Sequence, residues 1–124
     1  MDESSARRSL GEPTLRSTFS GDPEMRELVD YFIGDLDRRI HALREALDAC
    51  DAARLRTLAH QLSGSAGGYG FAPIGDAARR LEEHVRSLRV DDGLAEEAAV
   101  SEVREKAEDL IATCRRAIRT GDDA

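Results

Sequence analysis

Apolar residues return every three or four positions through four separate stretches of this chain, and each stretch is closed by a capping or helix-breaking cluster. The first opens at Asp22-Pro23, an N-cap followed by proline at the first helical position, with Glu24 and Glu27 in the first turn. Leu28, Phe32, Leu36, Ile40, Leu43 and Leu47 mark its apolar face, Gly34 is placed to bend it, and it should stop near Ala49-Cys50, where Asp51 can cap the next helix. A second helix is predicted over 52–68. A third shows Ile74, Ala77, Ala78, Leu81, Val85 and Leu88 and closes at Asp91-Asp92-Gly93. A fourth, over 94–119, presents Val100, Val103, Ala107, Leu110, Ile111, Cys114 and Ile118, with Leu94 out of phase.

Four such stripes on short connections can be buried only against one another. The predicted fold is therefore all-α, an antiparallel up-down-up-down four-helix bundle with a short N-terminal lead-in. Residues 1–14 read as a flexible tail, 15–120 as the bundle and 121–124 as a C-terminal tail. Leu15 and Phe19 form a lead-in over one end of the domain, ending at Ser20-Gly21. With aromatic residues at 4%, the core must be built from Leu, Ile, Val and Ala, which suits close-packed helices better than a sheet.

Net charge of −7 argues against nucleic acid, whose phosphates call for a basic stripe. The cations are 17 Arg and one Lys, a compositional habit that gives no single arginine much weight. Cys50 and Cys114 have no CxxC partner and read as reduced thiols. No apolar run approaches membrane-spanning length, and the first five residues lack a signal-peptide pattern, so a cytoplasmic chain without membrane insertion is expected.

His60 lies in the run Leu58-Ala59-His60-Gln61-Leu62-Ser63-Gly64-Ser65-Ala66-Gly67-Gly68-Tyr69-Gly70-Phe71. At about 100° per residue, Leu55, Leu58, Leu62, Ala66 and Tyr69 share one stripe and His60 points roughly 180° away from its middle. Its neighbours on that side are Arg56, Ser63, Gly64 and Gly67, two of which have no side chain. Glycine costs about 1 kcal/mol against alanine inside a helix, so this clearing asks for a reason, and close approach of a partner is one. Gly70, by contrast, reads as a helix stop reinforced by Pro73. Tyr69 and Phe71 read as core plugs, and His41 and His84 as ordinary surface and flank residues.

These residues, followed by Pro73-Ile74 and Leu81-Glu82, resemble the histidine-containing phosphotransfer (HPt) domain of two-component phosphorelays, whose motif reads His-x-Leu-Lys-Gly-Ser-Ala before a glycine-rich turn. The resemblance extends over roughly residues 15–119. It implies a phosphocarrier in which His60 accepts a phosphoryl group from a receiver-domain aspartate and passes it to another response regulator. The implied partners are receiver domains of response regulators and of hybrid sensor histidine kinases, met by a monomer. Such a carrier needs no cofactor, any Mg2+ sitting on the receiver, and it is not a kinase, since the chain has no Gly-rich phosphate loop after a strand. No Glu-x-x-His pair supports a metal site.

One departure stands out: the family's lysine three residues after the histidine is Ser63 here. A hydroxyl hydrogen bond would replace a charge-assisted one, unless Arg56, one turn before His60, supplies the cation. Glu82, 22 residues after His60 on the antiparallel neighbour, matches a Glu or Gln common in the family and is the candidate acceptor for the second ring nitrogen. A solvated flank carboxylate is the other reading. Gln61 falls at the edge of the docking face. The serine also admits an alternative function, an HPt-like scaffold that docks a receiver without accepting phosphate.

Overall fold

The computed structural model describes residues 14–88 and 97–123. Within them lie α1 (Arg26–Asp48), α2 (Ala52–Ala66), a 3-10 turn (Gly67–Tyr69), α3 (Ala72–Leu88) and α4 (Glu97–Asp123), packed as an all-α four-helix bundle. No strand occurs among the described residues. The expectations for residues 1–13, for Asp91-Asp92-Gly93, for Leu94 and for the side chain of Val100 fall outside them.

Helix α1 starts later than its sequence suggests. The Asp22 carboxylate accepts the Glu24 N–H at 2.9 Å and the Met25 N–H bonds to the Asp22 carbonyl at 3.0 Å, so Asp22 caps a tight turn and regular helix begins at Arg26. Its core face also differs by one residue. Val29 is buried (6% exposed) where Leu28 was expected, and Leu28 is 48% exposed. Both sit one turn before Phe32, but Leu28 lies about 90° from the centre of the buried line running through Leu36, Ile40, Leu43 and Leu47, against about 10° for Val29.

Two helix ends are closed by the same hydrogen-bond pattern. After α1, Cys50 takes a left-handed conformation (φ 54°) while its N–H bonds to the Leu47 carbonyl and the Asp51 N–H to the Ala46 carbonyl. After the 3-10 turn, Gly70 (φ 85°) does the same, with its N–H on Gly67 and the Phe71 N–H on Ala66. Regular α-helix thus ends at Ala66, two residues short of the expected Gly68. Asp51 caps α2 as expected, accepting the Arg54 N–H at 3.0 Å. Helix α4 continues to Asp123, past the expected stop at 119.

The lead-in links α4 to this turn. The Leu15 N–H bonds to the Arg116 carbonyl of α4 (3.1 Å), the Thr18 N–H to the Gly70 carbonyl (2.9 Å), and the Ser17 hydroxyl to the Tyr69 carbonyl (2.6 Å). A Cβ on Gly70 would run into the Ser17 hydroxyl and the Thr18 backbone, so glycine is required there by contact as well as by φ. Beneath the turn, Phe32 stacks on Tyr69 (centroids 4.8 Å apart) and on the fully buried Phe71 (5.5 Å), so Phe71 is the core plug the sequence suggested and Tyr69 packs half-buried against the same ring. Burial pushes the Cys114 thiol up to about 12, which leaves it unreactive, while Cys50 is exposed; both are free. Arg44 of α1 grips Glu108 of α4 through two bonds of 2.8 and 3.0 Å.

Two stability tests follow from these termini. In urea titrations, Gly70→Ala should destabilise by about 2 kcal/mol or more, and Cys50→Gly should stabilise by about 1 kcal/mol by relieving a left-handed non-glycine residue. The Arg44 guanidinium also holds the Glu108 carboxyl below its ordinary value of 4.5. A carboxyl lowered in the folded state contributes stability above its unfolded pKa and loses it as pH falls through the folded one. Stability should therefore drop on acidification below about pH 4.5, and by less in Glu108→Gln, the difference being small because both groups are more than a third exposed.

Candidate phosphoryl-transfer site

The buried line of α2 runs through Leu55, Ala59, Leu62 and Ala66, while Leu58 and Tyr69 are only partly buried. This turns the helix from its expected orientation. His60 stands about 130° from the core direction rather than diametrically opposite, and the imidazole leans to the α3 flank. It remains 72% exposed.

Helix α3 lies antiparallel against that flank at close range. A Cβ built on Gly75 would meet the Ser63 carbonyl at 3.5 Å and the Gly67 nitrogen at 3.8 Å, so a side chain longer than alanine would force the two helices apart. Counting seven residues back along α2 from Gly67 gives His60, and seven forward along α3 from Gly75 gives Glu82. The register therefore sets the imidazole opposite the carboxylate.

Glu82 is 8% exposed, so it is not a solvated flank residue. Its Oε2 lies 3.0 Å from His60 Nδ1. A carboxylate oxygen only accepts, so Nδ1 carries the proton and Nε2 keeps its lone pair on the exposed side of the ring. The same Oε2 accepts from Arg86 at 2.8 Å. One nearly buried anion is thus shared by an imidazole N–H and a guanidinium.

Arg86 escaped the sequence reading, although its signal was there: the Glu82-x-x-x-Arg86 spacing places the two on one face of a helix. Arg56, the cation that the sequence offers one turn before His60, is exposed and has no ion pair with a described residue. Helical side chains lean toward their own N-terminus. Arg56 therefore leans away from His60, whereas Arg86 leans back over Glu82.

Ser63 is half-buried at the seam, and its hydroxyl donates to the His60 carbonyl at 2.9 Å. Gln61, Gly64, Gly67 and Gly68 are exposed, and a Cβ built on any of the three glycines would meet nothing within 4 Å. Packing inside the domain does not demand glycine at these positions. Two large apolar side chains, Leu28 and Tyr31, are exposed on the first turns of α1, whose Phe32 stacks on Tyr69 at the end of the glycine run. The helical pattern does not reveal this apolar patch, because Leu28 stands one turn before Phe32 and so reads as part of the core face. Of the other histidines, His41 is exposed beside Glu45 (3.4 Å), and His84 is half-buried with Nε2 3.2 Å from Glu102 but without a properly aligned hydrogen bond.

The family model described as Hpt domain matches residues 27–113. A curated relative, the sensor histidine kinase AruS of Pseudomonas aeruginosa, is 34% identical over 100 residues, an alignment that takes in 66% of this chain and 10% of the relative. The chain thus spans about a tenth of that protein's length. No solved structure matches. With the family model covering most of the bundle, the chain belongs to the Hpt domain family, the phosphocarrier modules of two-component phosphorelays.

Proposed function

We propose that His60 is the phosphoryl acceptor of this domain, loaded from the phosphoaspartate of one receiver domain and unloaded onto the aspartate of another. The observation that carries the reading is an exposed imidazole whose Nδ1 is held at 3.0 Å by a nearly buried carboxylate, leaving Nε2 free. In the transfer step the Nε2 lone pair attacks phosphorus, the P–O bond to the donor aspartate breaks, and its electron pair leaves with that carboxylate. No proton has to move. The ring keeps its Nδ1 proton, and the positive charge that develops is stabilised across the hydrogen bond to Glu82.

The docking face comprises His60, Gln61, Gly64 and Gly67, with Leu28 and Tyr31 as an apolar flank. The bare glycines let receiver loops close over the ring. Any Mg2+ belongs to the receiver's acidic pocket, and the domain acts as a monomeric cytoplasmic carrier with no ATP chemistry of its own. Receivers of hybrid sensor kinases are natural partners, a reading supported by the relative being a sensor histidine kinase.

The test is incubation with a labelled phosphoreceiver. His60 should acquire acid-labile, base-stable label, His60→Gln should acquire none while still binding the receiver, and Glu82→Gln should load about tenfold to a hundredfold more slowly. Absence of label in the wild type together with retained binding would establish the scaffold instead. A second test separates stability from docking. Gly64→Gln should raise stability by about 0.5 kcal/mol, because it relieves a helix-interior glycine in open space, while slowing transfer about tenfold or more. Equal transfer by that variant would remove the glycines from the docking face.

A further inference from the structure

Charge accounting at Glu82 leads beyond the acceptor assignment, although it rests on that reading. In the unloaded protein the imidazole is neutral in the transfer-competent state, and the nearly buried carboxylate is balanced by Arg86, 2.8 Å away. Loading Nε2 reverses the situation. The phosphorylated ring, still holding its Nδ1 proton, becomes cationic and by itself balances Glu82 across the 3.0 Å hydrogen bond. At the same moment a phosphoryl group with close to two negative charges appears on the exposed side of the ring.

Arg86 is 60% exposed, and Glu82 is its described partner, so it can rotate without leaving a buried group unpaired. We propose that Arg86 is a mobile counter-ion: it neutralises Glu82 while His60 is empty and moves to the phosphoryl oxygens when His60 is loaded. The cation that the motif carries on α2 is thereby supplied from α3.

The alternatives on the α2 side are poorer. Ser63 spends its hydroxyl on the His60 carbonyl, and Arg56 leans away from the ring. Each of the two states leaves the low-solvent carboxylate with a single cation, the arrangement that limits the desolvation cost. A cation on the phosphoryl oxygens also favours the charge-dense bound state over the looser, metaphosphate-like transition state for loss to water. Arg86 should therefore prolong the life of the phosphohistidine.

The experiment loads the full chain with phosphoramidate in a His41→Gln background, which removes the other well-exposed imidazole. Arg86→Ala should shorten the phosphohistidine half-life by about threefold to tenfold and Arg86→Lys should retain most of it, the scale of one surface charge-assisted bond. The Arg86→Ala effect should persist when Glu82 is also replaced by Ala, since the cation acts on the phosphoryl group. The guanidinium NMR signals of Arg86 should shift on loading. An unchanged half-life, an effect that disappears in the Glu82→Ala background, or unmoved Arg86 signals would each overturn the counter-ion exchange. If the wild type took no phosphoryl group from phosphoramidate or from a receiver, the acceptor reading itself would fall and the exchange with it.

Discussion

The close antiparallel seam between α2 and α3 is the constraint from which the site follows. Gly75 lets α3 come to within a methyl's contact of the Ser63 and Gly67 backbone, and this register carries Glu82 to the level of His60. A slip of one residue would turn Glu82 by about 100° around its helix and break the 3.0 Å contact. Backbone packing one to two turns from the ring therefore sets the Glu82 contact that fixes the tautomer and decides which nitrogen faces outward.

The remainder of the bundle keeps that seam in place. The left-handed Gly70 ends the histidine-bearing segment where Phe71 plugs the core, and the lead-in bonds to the same turn through Ser17 and Thr18. Phe32 stacks against both aromatics, joining α1 to this end, while the Arg44 and Glu108 pair joins α1 to α4. The outcome is a helix face that Gly64, Gly67 and Gly68 leave open on the C-terminal side of one protruding imidazole. On the proposed function, an imidazole held in one orientation by Glu82 leaves little ordering to be done when a partner docks.

Much of this was legible in the sequence because a helical stripe depends only on spacing. The four helices, the Asp51 cap, the Gly70 stop and the exposed His60 all follow from local pattern and turn chemistry. What escaped was rotational detail. Leu28 and Val29 both satisfy the one-turn rule with Phe32, and only the packed bundle chooses between them. Likewise, Leu58 and Ala59 compete for the core side of α2, and the choice of Ala59 swings His60 toward α3. The Glu82 and Arg86 pair is an i, i+4 spacing on one helix, but its place beside His60 depends on the register between two helices, which single-helix periodicity does not encode.

On the proposed function, Glu82 reserves Nδ1 and leaves Nε2 to take the phosphoryl group. Nitrogen and phosphorus NMR of the loaded, isotopically labelled protein reads this directly through the bond between phosphorus and the ring. Phosphorus attached to Nε2 of His60, with Nδ1 still protonated, is the predicted outcome. Phosphorus on Nδ1, or on any residue other than His60, would contradict it.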